Sequence, residues 1–325
     1  MSELGKVVGR GQAGGSGVDL LARPPRRSGL IVAARALLAD KLAFAAFLFL
    51  VLLILGATFA NIVAPHDPEA GGGLMLRNKP PMTASEDGLP YLLGTDQLGR
   101  DLLSRLLYGA RVSLAVGVAS VLISGTFGVG LGLIAGYYRG LLDDVIMRLV
   151  DVQMGFPSLL LALVVLYVLG PGVWKVILVL AVTRWMVYAR VTRGLVLSYR
   201  ENVFVDAART IGASDRRILL LHILPNLFSP ILVLATLEVA TMILTEASLS
   251  FLGLGIQPPD SSWGLMLAQG RQYVQTAWWL VTFPGVMILL TALSINLLAT
   301  WVRAITDPVT RWRYLMPKRQ QAPGG

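Results

Sequence analysis

The chain has no cysteine, only two histidines, and a charged fraction of 14% over its 325 residues. Without cysteine there is no disulfide, no thiolate nucleophile and no cysteine metal site. His66 and His222 stand far apart, without clustered ligands beside them, too few parts for a metal centre or a histidine-based catalytic dyad. No Gly-x-x-x-x-Gly-Lys-Ser/Thr run occurs, and the glycines between Gly9 and Gly17 lack both the lysine and the preceding strand. The chain therefore carries no phosphate-cradling P-loop. Soluble domains average about 25% charged residues; with 55% hydrophobic residues and a mean hydropathy of +0.67, this chain reads as a membrane protein.

The apolar residues come in blocks. Leu42 to Ala60 gives 19 uncharged residues, Val112 to Tyr138 gives 27, Val152 to Trp174 gives 23 and Gln272 to Val302 gives 31. Each meets the roughly 20 residues that cross about 30 Å of hydrocarbon as a helix. The first block has 41 residues upstream, too many for the n-region of a signal peptide, so it reads as an uncleaved span. Gly170, Pro171 and Gly172 mark a tight turn between antiparallel helices. Two weaker spans, about 173–189 with Lys175 and Arg184 and about 227–245 with Glu238, bring the expected count to six transmembrane helices in an all-α polytopic fold.

The formal net charge of +9 sits mostly in segments flanking these blocks, which points to a membrane surface and away from nucleic acid. With the N-terminus inside, 21 of the 28 Lys and Arg fall in cytoplasmic segments and 7 in external ones. The positive-inside rule then puts both termini in the cytoplasm. The expected organisation is a disordered, solvated N-terminal tail over 1–36, a first span and external loop over 37–111, a helical core over 112–303 and a C-terminal tail over 304–325. The external stretch from Pro65 to Arg111 reads equally as a folded collar for a partner or as a cap over the second span.

The longest cytoplasmic connection, within 200–225, is patterned. Phe204, Ala207, Ala208 and Ile211 recur at i, i+3, i+4 and i+7, the spacing of one helical face, with Asp206 beside it. Gly212 suits the left-handed position that ends a helix. Ser214 can cap a second helix running towards Leu224 and Pro225. The pattern Glu-Ala-Ala, then Gly, then Ile-x-Leu-Pro resembles the coupling loop of permeases in binding-protein-dependent ABC importers, matched at Ala207, Ala208, Gly212, Leu224 and Pro225, with Asp206 for Glu and His222 for Ile. The runs Leu93 to Arg105, Tyr108 to Arg111 and Glu246 to Gly255, with Trp263-Gly264, resemble the C-type permeases of dipeptide, oligopeptide and nickel importers.

That resemblance implies a type I importer permease fold of the methionine-permease kind in a bacterial or archaeal plasma (inner) membrane. It implies a second, B-type permease, two ABC ATPase subunits that hold ATP and Mg, and an extracytoplasmic binding protein that delivers substrate. This chain would bind no cofactor or metal and have no catalytic residue. The helix around Val203 to Ile211 would dock on an ATPase. The competing classes are a self-contained secondary transporter, which needs internal repeats and ion-coupling residues, and a membrane-embedded enzyme, which needs clustered reactive groups.

Three further features follow from the residues themselves. Gly128, Gly132 and Gly136 align on one helix face and suit close helix packing or a lining of the pathway. Arg184 and Glu238 each fall about 16 Å into their spans, where charge is costly; snorkelling of Arg184 towards the inner interface is the commoner way to relieve that cost, and an interhelical pair or a shared polar cavity is the sharper alternative; Glu246 is a third intramembrane polar candidate. Trp278 and Trp279 fit an interfacial aromatic belt.

Overall fold

The computed structural model describes residues 29–306 apart from residues 72 and 86–87; the tail expectations for 1–28 and 307–325 lie outside the described residues. The described residues are helical, with two isolated antiparallel bridges, Thr83 to Tyr91 and Thr95 to Asp101. In chain order the helices are α1 (Gly29–Ala39), α2 (Lys41–Thr58), α3 (Ala60–Val63), α4 (Leu102–Tyr138), α5 (Gly140–Met154), α6 (Ser158–Leu169), α7 (Val173–Arg200), α8 (Val203–Thr210), α9 (Asp215–Arg217), α10 (Leu224–Phe251), α11 (Trp263–Gly270) and α12 (Trp279–Thr306).

By length and apolar composition, four helical segments among the described residues are able to cross a membrane: α2, α4, the continuous run Asp215–Phe251 that contains α10, and α12. Six spans are reached by adding the α5–α6 pair and α7. α7 has 28 residues, ample length, but its arginines dilute its hydropathy. Two of the membrane helices start on a side-chain cap. Asp40 accepts the N–H groups of Leu42 and Ala43 at the head of α2, and Asp101 accepts that of Ser104 at the head of α4. Such caps satisfy donors that the first turn leaves open.

The structure corrects four sequence-based expectations. The block Val152 to Trp174 is not one straight helix: α5 and α6 meet at 87° across Gly155, Phe156 and Pro157. Pro157 lacks an N–H and pushes Phe156 out of the helical region. Residues 29–36, assigned to the tail, are helical, and residues 102–111, assigned to the external loop, form the first turns of α4, which at 37 residues is about 55 Å long. Trp279 is not in a lipid-facing belt. It is buried, its indole N–H donating to the Thr95 carbonyl at 3.3 Å, and Trp278 alone of the two is exposed.

α10 sits at the centre, packed on α4, α7, α11 and α12. The longest interface joins α4 to α7, and the glycine stripe makes it possible. A Cβ on Gly132 would lie 2.5 Å from the Ala189 carbonyl oxygen, and one on Gly136 would lie 2.8 Å from Val196 Cβ; Gly128 is equally close to the backbone at Trp185. At the end of α4 opposite α8, the segment between α3 and α4 folds into a collar. Asp96 organises it, accepting the Leu98 and Arg100 N–H groups, Arg100 Nε at 2.8 Å and Arg105 Nη1 at 2.5 Å. Arg105 then reaches Gln269 of α11, so the collar is tied to the bundle.

Candidate coupling site

α8 is short, and what it presents is decided by two buried residues. Val205 and Ala208 are sequestered in a cluster with Leu133, Tyr137, Val196, Ile218 and Ile223. At 100° per residue, positions 203, 207, 211 and 204 form a contiguous arc on the other side, and these are exposed: Val203 and Ile211 at 84% each, Phe204 at 38%, and Ala207. The predicted stripe therefore splits, because Ala208 lies at its edge beside Val205 and turns inward. Asp206 flanks the outer arc and pairs with Arg209 at 3.3 Å.

The end of α8 is rigidly defined. Gly212 has φ +82°, the Ala213 N–H donates to the Ala208 carbonyl at 3.0 Å, and the Gly212 N–H donates to the Arg209 carbonyl at 2.9 Å. This pair of bonds is a Schellman motif, which favours glycine at the left-handed position. Ser214 stands at the N-cap of α9 without a side-chain capping bond. The second helix does not stop at Pro225. Residues Ile218–Ile223 are π-helical, the Leu224 N–H reaches back to the Leu219 carbonyl, and the chain continues straight into α10. Pro225 lacks the N–H that an α-helix would use there, and the π turn absorbs the mismatch. The helical path from Asp215 to Phe251 is therefore unbroken.

Residues that the spacing argument did not single out clamp this segment to the bundle. The Tyr137 hydroxyl at the end of α4 donates to Asp215 Oδ1 at 2.6 Å. Arg200 donates to the Tyr137 carbonyl at 2.5 Å, and Arg139 pairs with Glu201 at 2.7 Å. The Tyr137 side chain, and behind it Asp206 and Asp215, raise the Arg209 pKa above its already high ordinary value against a smaller opposing effect of burial. Only the position of Tyr137 at the last turn of a long apolar block could have drawn notice to it.

Deeper in the bundle, the structure brings Arg184 and Glu238 together. Arg184 Nε donates to Glu238 Oε2 at 2.9 Å and Nη2 to Oε1 at 2.8 Å, a fork-to-fork pair between α7 and α10. Glu238 is 6% exposed; removing either partner of such a pair costs about 3–5 kcal/mol because the other charge is stranded. Glu246 is not part of this pair. It is fully buried, accepting from Ser113 at 3.2 Å and Ser250 at 2.7 Å. The Ser250 hydroxyl in turn receives the Ile256 N–H and that of Ser113 the Trp263 N–H. Glu246 thus fastens α10, α4 and the α10–α11 connection. The glycine stripe packs against α7, as described above. Among the described residues no group of three or more His, Cys, Asp and Glu is placed to hold a metal ion.

Residues 128–312 match the family described as binding-protein-dependent transport system inner membrane component, and residues 30–81 match the N-terminal TM domain of oligopeptide transport permease C. The chain belongs to this permease family. The permease is 43% identical over 269 residues to the di/tripeptide transport system permease protein DppC of Pseudomonas aeruginosa, spanning 83% of this chain and 88% of that one. It is 45% identical over 267 residues to the glutathione transport system permease protein GsiD of Escherichia coli O6:K15:H31, spanning 82% and 86%. A solved structure of the inward-facing MetNI methionine ABC transporter matches with a TM-score of 0.54 at 18% identity, covering 63% of the permease and 98% of that chain. This last likeness concerns the fold alone, and it agrees with an all-helical importer permease.

Proposed function

We propose that the permease forms, with a second B-type permease, the pathway by which peptides or similar small solutes cross the plasma (inner) membrane. An extracytoplasmic binding protein delivers the solute at the collar end, and two ABC ATPase subunits, which hold ATP and Mg, drive the cycle from the α8 end. The chain itself makes and breaks no covalent bond. The observation that carries this reading is the apolar arc of Val203, Phe204, Ala207 and Ile211, held outward on a helix whose other side is locked into the bundle. An apolar surface exposed on a charged loop is the mark of a docking site.

The mechanism follows from rigidity. α8 is packed through Val205 and Ala208 against Tyr137 of α4 and against the π turn, α9 is tied to α4 by the Tyr137–Asp215 bond, and the π turn runs into α10. When the ATPases close on nucleotide and displace α8, the central helix α10 is displaced with it, and the fork between Glu238 and Arg184 carries the motion to α7. Alternating access is then a two-state equilibrium biased by ATP binding. The 21-to-7 division of basic residues supports cytoplasmic termini and a cytoplasmic α8, and the di/tripeptide and glutathione permease relatives support the peptide class.

The test is reconstitution. Proteoliposomes holding both permeases and both ATPases are expected to accumulate a radiolabelled dipeptide only with ATP inside the motor compartment and binding protein on the other side. Accumulation by this chain alone, driven by an ion gradient, would establish a secondary transporter instead.

A further inference from the structure

α7 carries an open line of residues at membrane depth. At 100° per residue, Val187, Val191, Gly194 and Ser198 fall within about 60° of one another. Val191 is 38% exposed, Gly194 and Ser198 are exposed, and a Cβ on Gly194 would meet nothing within 4 Å. Two arginines stand about 60° to either side of this line. Arg184 is held by Glu238 on the α10 side, and Arg190 pairs with Asp151 on the α5 side. Beside Val191 the line opens into a cavity of about 430 Å³ that also touches Pro230 and Leu237 of α10 and Arg303 of α12.

The two pairs differ in access. The Arg184 and Glu238 side chains are 22% and 9% exposed, those of Arg190 and Asp151 46% and 58%. The open pair is nevertheless deep. A Cβ on Gly132 would touch the Ala189 carbonyl, so Arg190 lies level with Gly132, about 10 Å along α4 from Arg139, the first charge after the apolar block. α5 climbs past this level: Arg193 forks onto Asp143 at 2.5 and 2.6 Å near its start, and Gln153 near its end donates to the Val182 carbonyl, about 16 Å deeper along α7 than Arg193. The exposed face of α5 is divided. Asp144, Arg148 and Asp151, at i, i+4 and i+7, form a charged arc, and Leu141, Val145, Leu149 and Val152 form an apolar arc beside it. Lipid suits only the second. The short carboxylate of Asp151 has no reach for snorkelling, and half-exposed charges at such depth face water or a polar occupant. With Arg190, the charged face holds two acids and two bases and is electrically balanced.

We propose that the transported solute touches the permease along this α5–α7 face, and that Asp151 and Arg190 set its charge preference in favour of zwitterions. This rests on the importer reading above. A zwitterionic peptide offers both members of the pair a partner at once: its carboxylate takes Arg190, its ammonium takes Asp151, and the pair re-forms when the peptide leaves. A solute with a single charge strands one member, which is costly. A balanced lining is also easy to leave, as conduction requires. Arg184 and Glu238 stay closed and hold the α10 side of the groove.

The test uses the complete importer in proteoliposomes with the motor side outward, and the binding protein and a radiolabelled dipeptide in the lumen. Gly194→Cys gives this chain a single thiol on the open line. It is expected to react with an impermeant cationic thiol reagent, added outside, at least about tenfold faster than Leu149→Cys on the apolar arc. That reaction is expected to stop dipeptide transfer. Asp151→Asn is expected to lower transfer at least about tenfold while the binding protein still stimulates ATP hydrolysis; a tie that only braces α5 on α7 would lower both together. The proposal is overturned, with the importer reading intact, if Gly194→Cys reacts no faster than Leu149→Cys, as it would beneath the second permease, or reacts without loss of transfer. Parental transfer by Asp151→Asn, or a joint loss of its transfer and stimulation, overturns it equally. If the parent complex transfers no dipeptide with ATP, the importer reading fails and takes the proposal with it.

Discussion

Gly132→Val abolishes assembly of the permease, whereas Gly130→Ala, two residues earlier on the same helix, leaves it intact. The two glycines differ in what a side chain would meet. At Gly132 a Cβ lies 2.5 Å from the Ala189 carbonyl oxygen and 2.7 Å from Thr192 Cβ, while at Gly130 nothing lies within 4 Å. The obstructing atom is backbone, so no rotamer change relieves it; α4 and α7 must move apart along their whole shared face. Overpacking of a tight core costs about 1–3 kcal/mol, and a backbone clash at the main interface lies at or above the top of that range, a large share of a stability of about 5–15 kcal/mol. The yield of monodisperse complex by size-exclusion chromatography falls at least about tenfold for Gly132→Val. Gly130→Ala melts within about 2 °C of the parent.

Phe204→Asp, the second substitution of large effect, leaves the bundle folded and disconnects it from its motor. Phe204 sits on the outer arc of α8, and the buried contacts that hold α8 in place come from Val205 and Ala208 on the opposite side. The folded state of the permease therefore loses little. A docked ATPase, by contrast, would have to desolvate a carboxylate where an aromatic ring should anchor, and anchors of this kind are worth about 2 kcal/mol or more. Co-purification of the ATPase subunits drops by about 30-fold or more at limiting concentration, and dipeptide uptake drops with it. Retention of both would show that the outer arc touches nothing.

The architecture was partly readable from the chain because bilayer crossing demands long apolar runs, and α2, α4 and α12 announce themselves that way. The third block misled, since an uncharged window does not distinguish a straight span from two helices at 87°; Gly155 and Pro157 carried the missing signal inside it. In the coupling segment the helix, its glycine end and its left-handed turn followed from local stereochemistry, and Gly212 has the φ that stereochemistry requires. The direction in which α8 faces did not follow, because Val205 and Ala208 are chosen for burial by Ile218, Ile223 and Tyr137, residues brought there by tertiary folding. Continuity through Pro225 was equally hidden, since a proline usually reads as an end and here a π turn carries the helix past it. The fork between Arg184 and Glu238 was half legible: equal depth allows the two to pair, but snorkelling of Arg184 would relieve the same cost, and only the packing of α7 on α10 decides between them. The collar was legible only as one of two readings of its stretch; that Asp96 gathers Arg100 and Arg105, and that Arg105 reaches Gln269, is decided by residues that converge only in the fold.

The claim that α8 is gripped by a motor on the cytoplasmic side is tested most directly by a single cysteine at Val203, which is the sole thiol because the natural chain has none. A membrane-impermeant maleimide is expected to label Val203→Cys in inside-out vesicles and not in right-side-out ones, and bound ATPase subunits are expected to block that labelling. Labelling from the extracytoplasmic side, or labelling that proceeds at the same rate with the ATPases bound, would contradict the account.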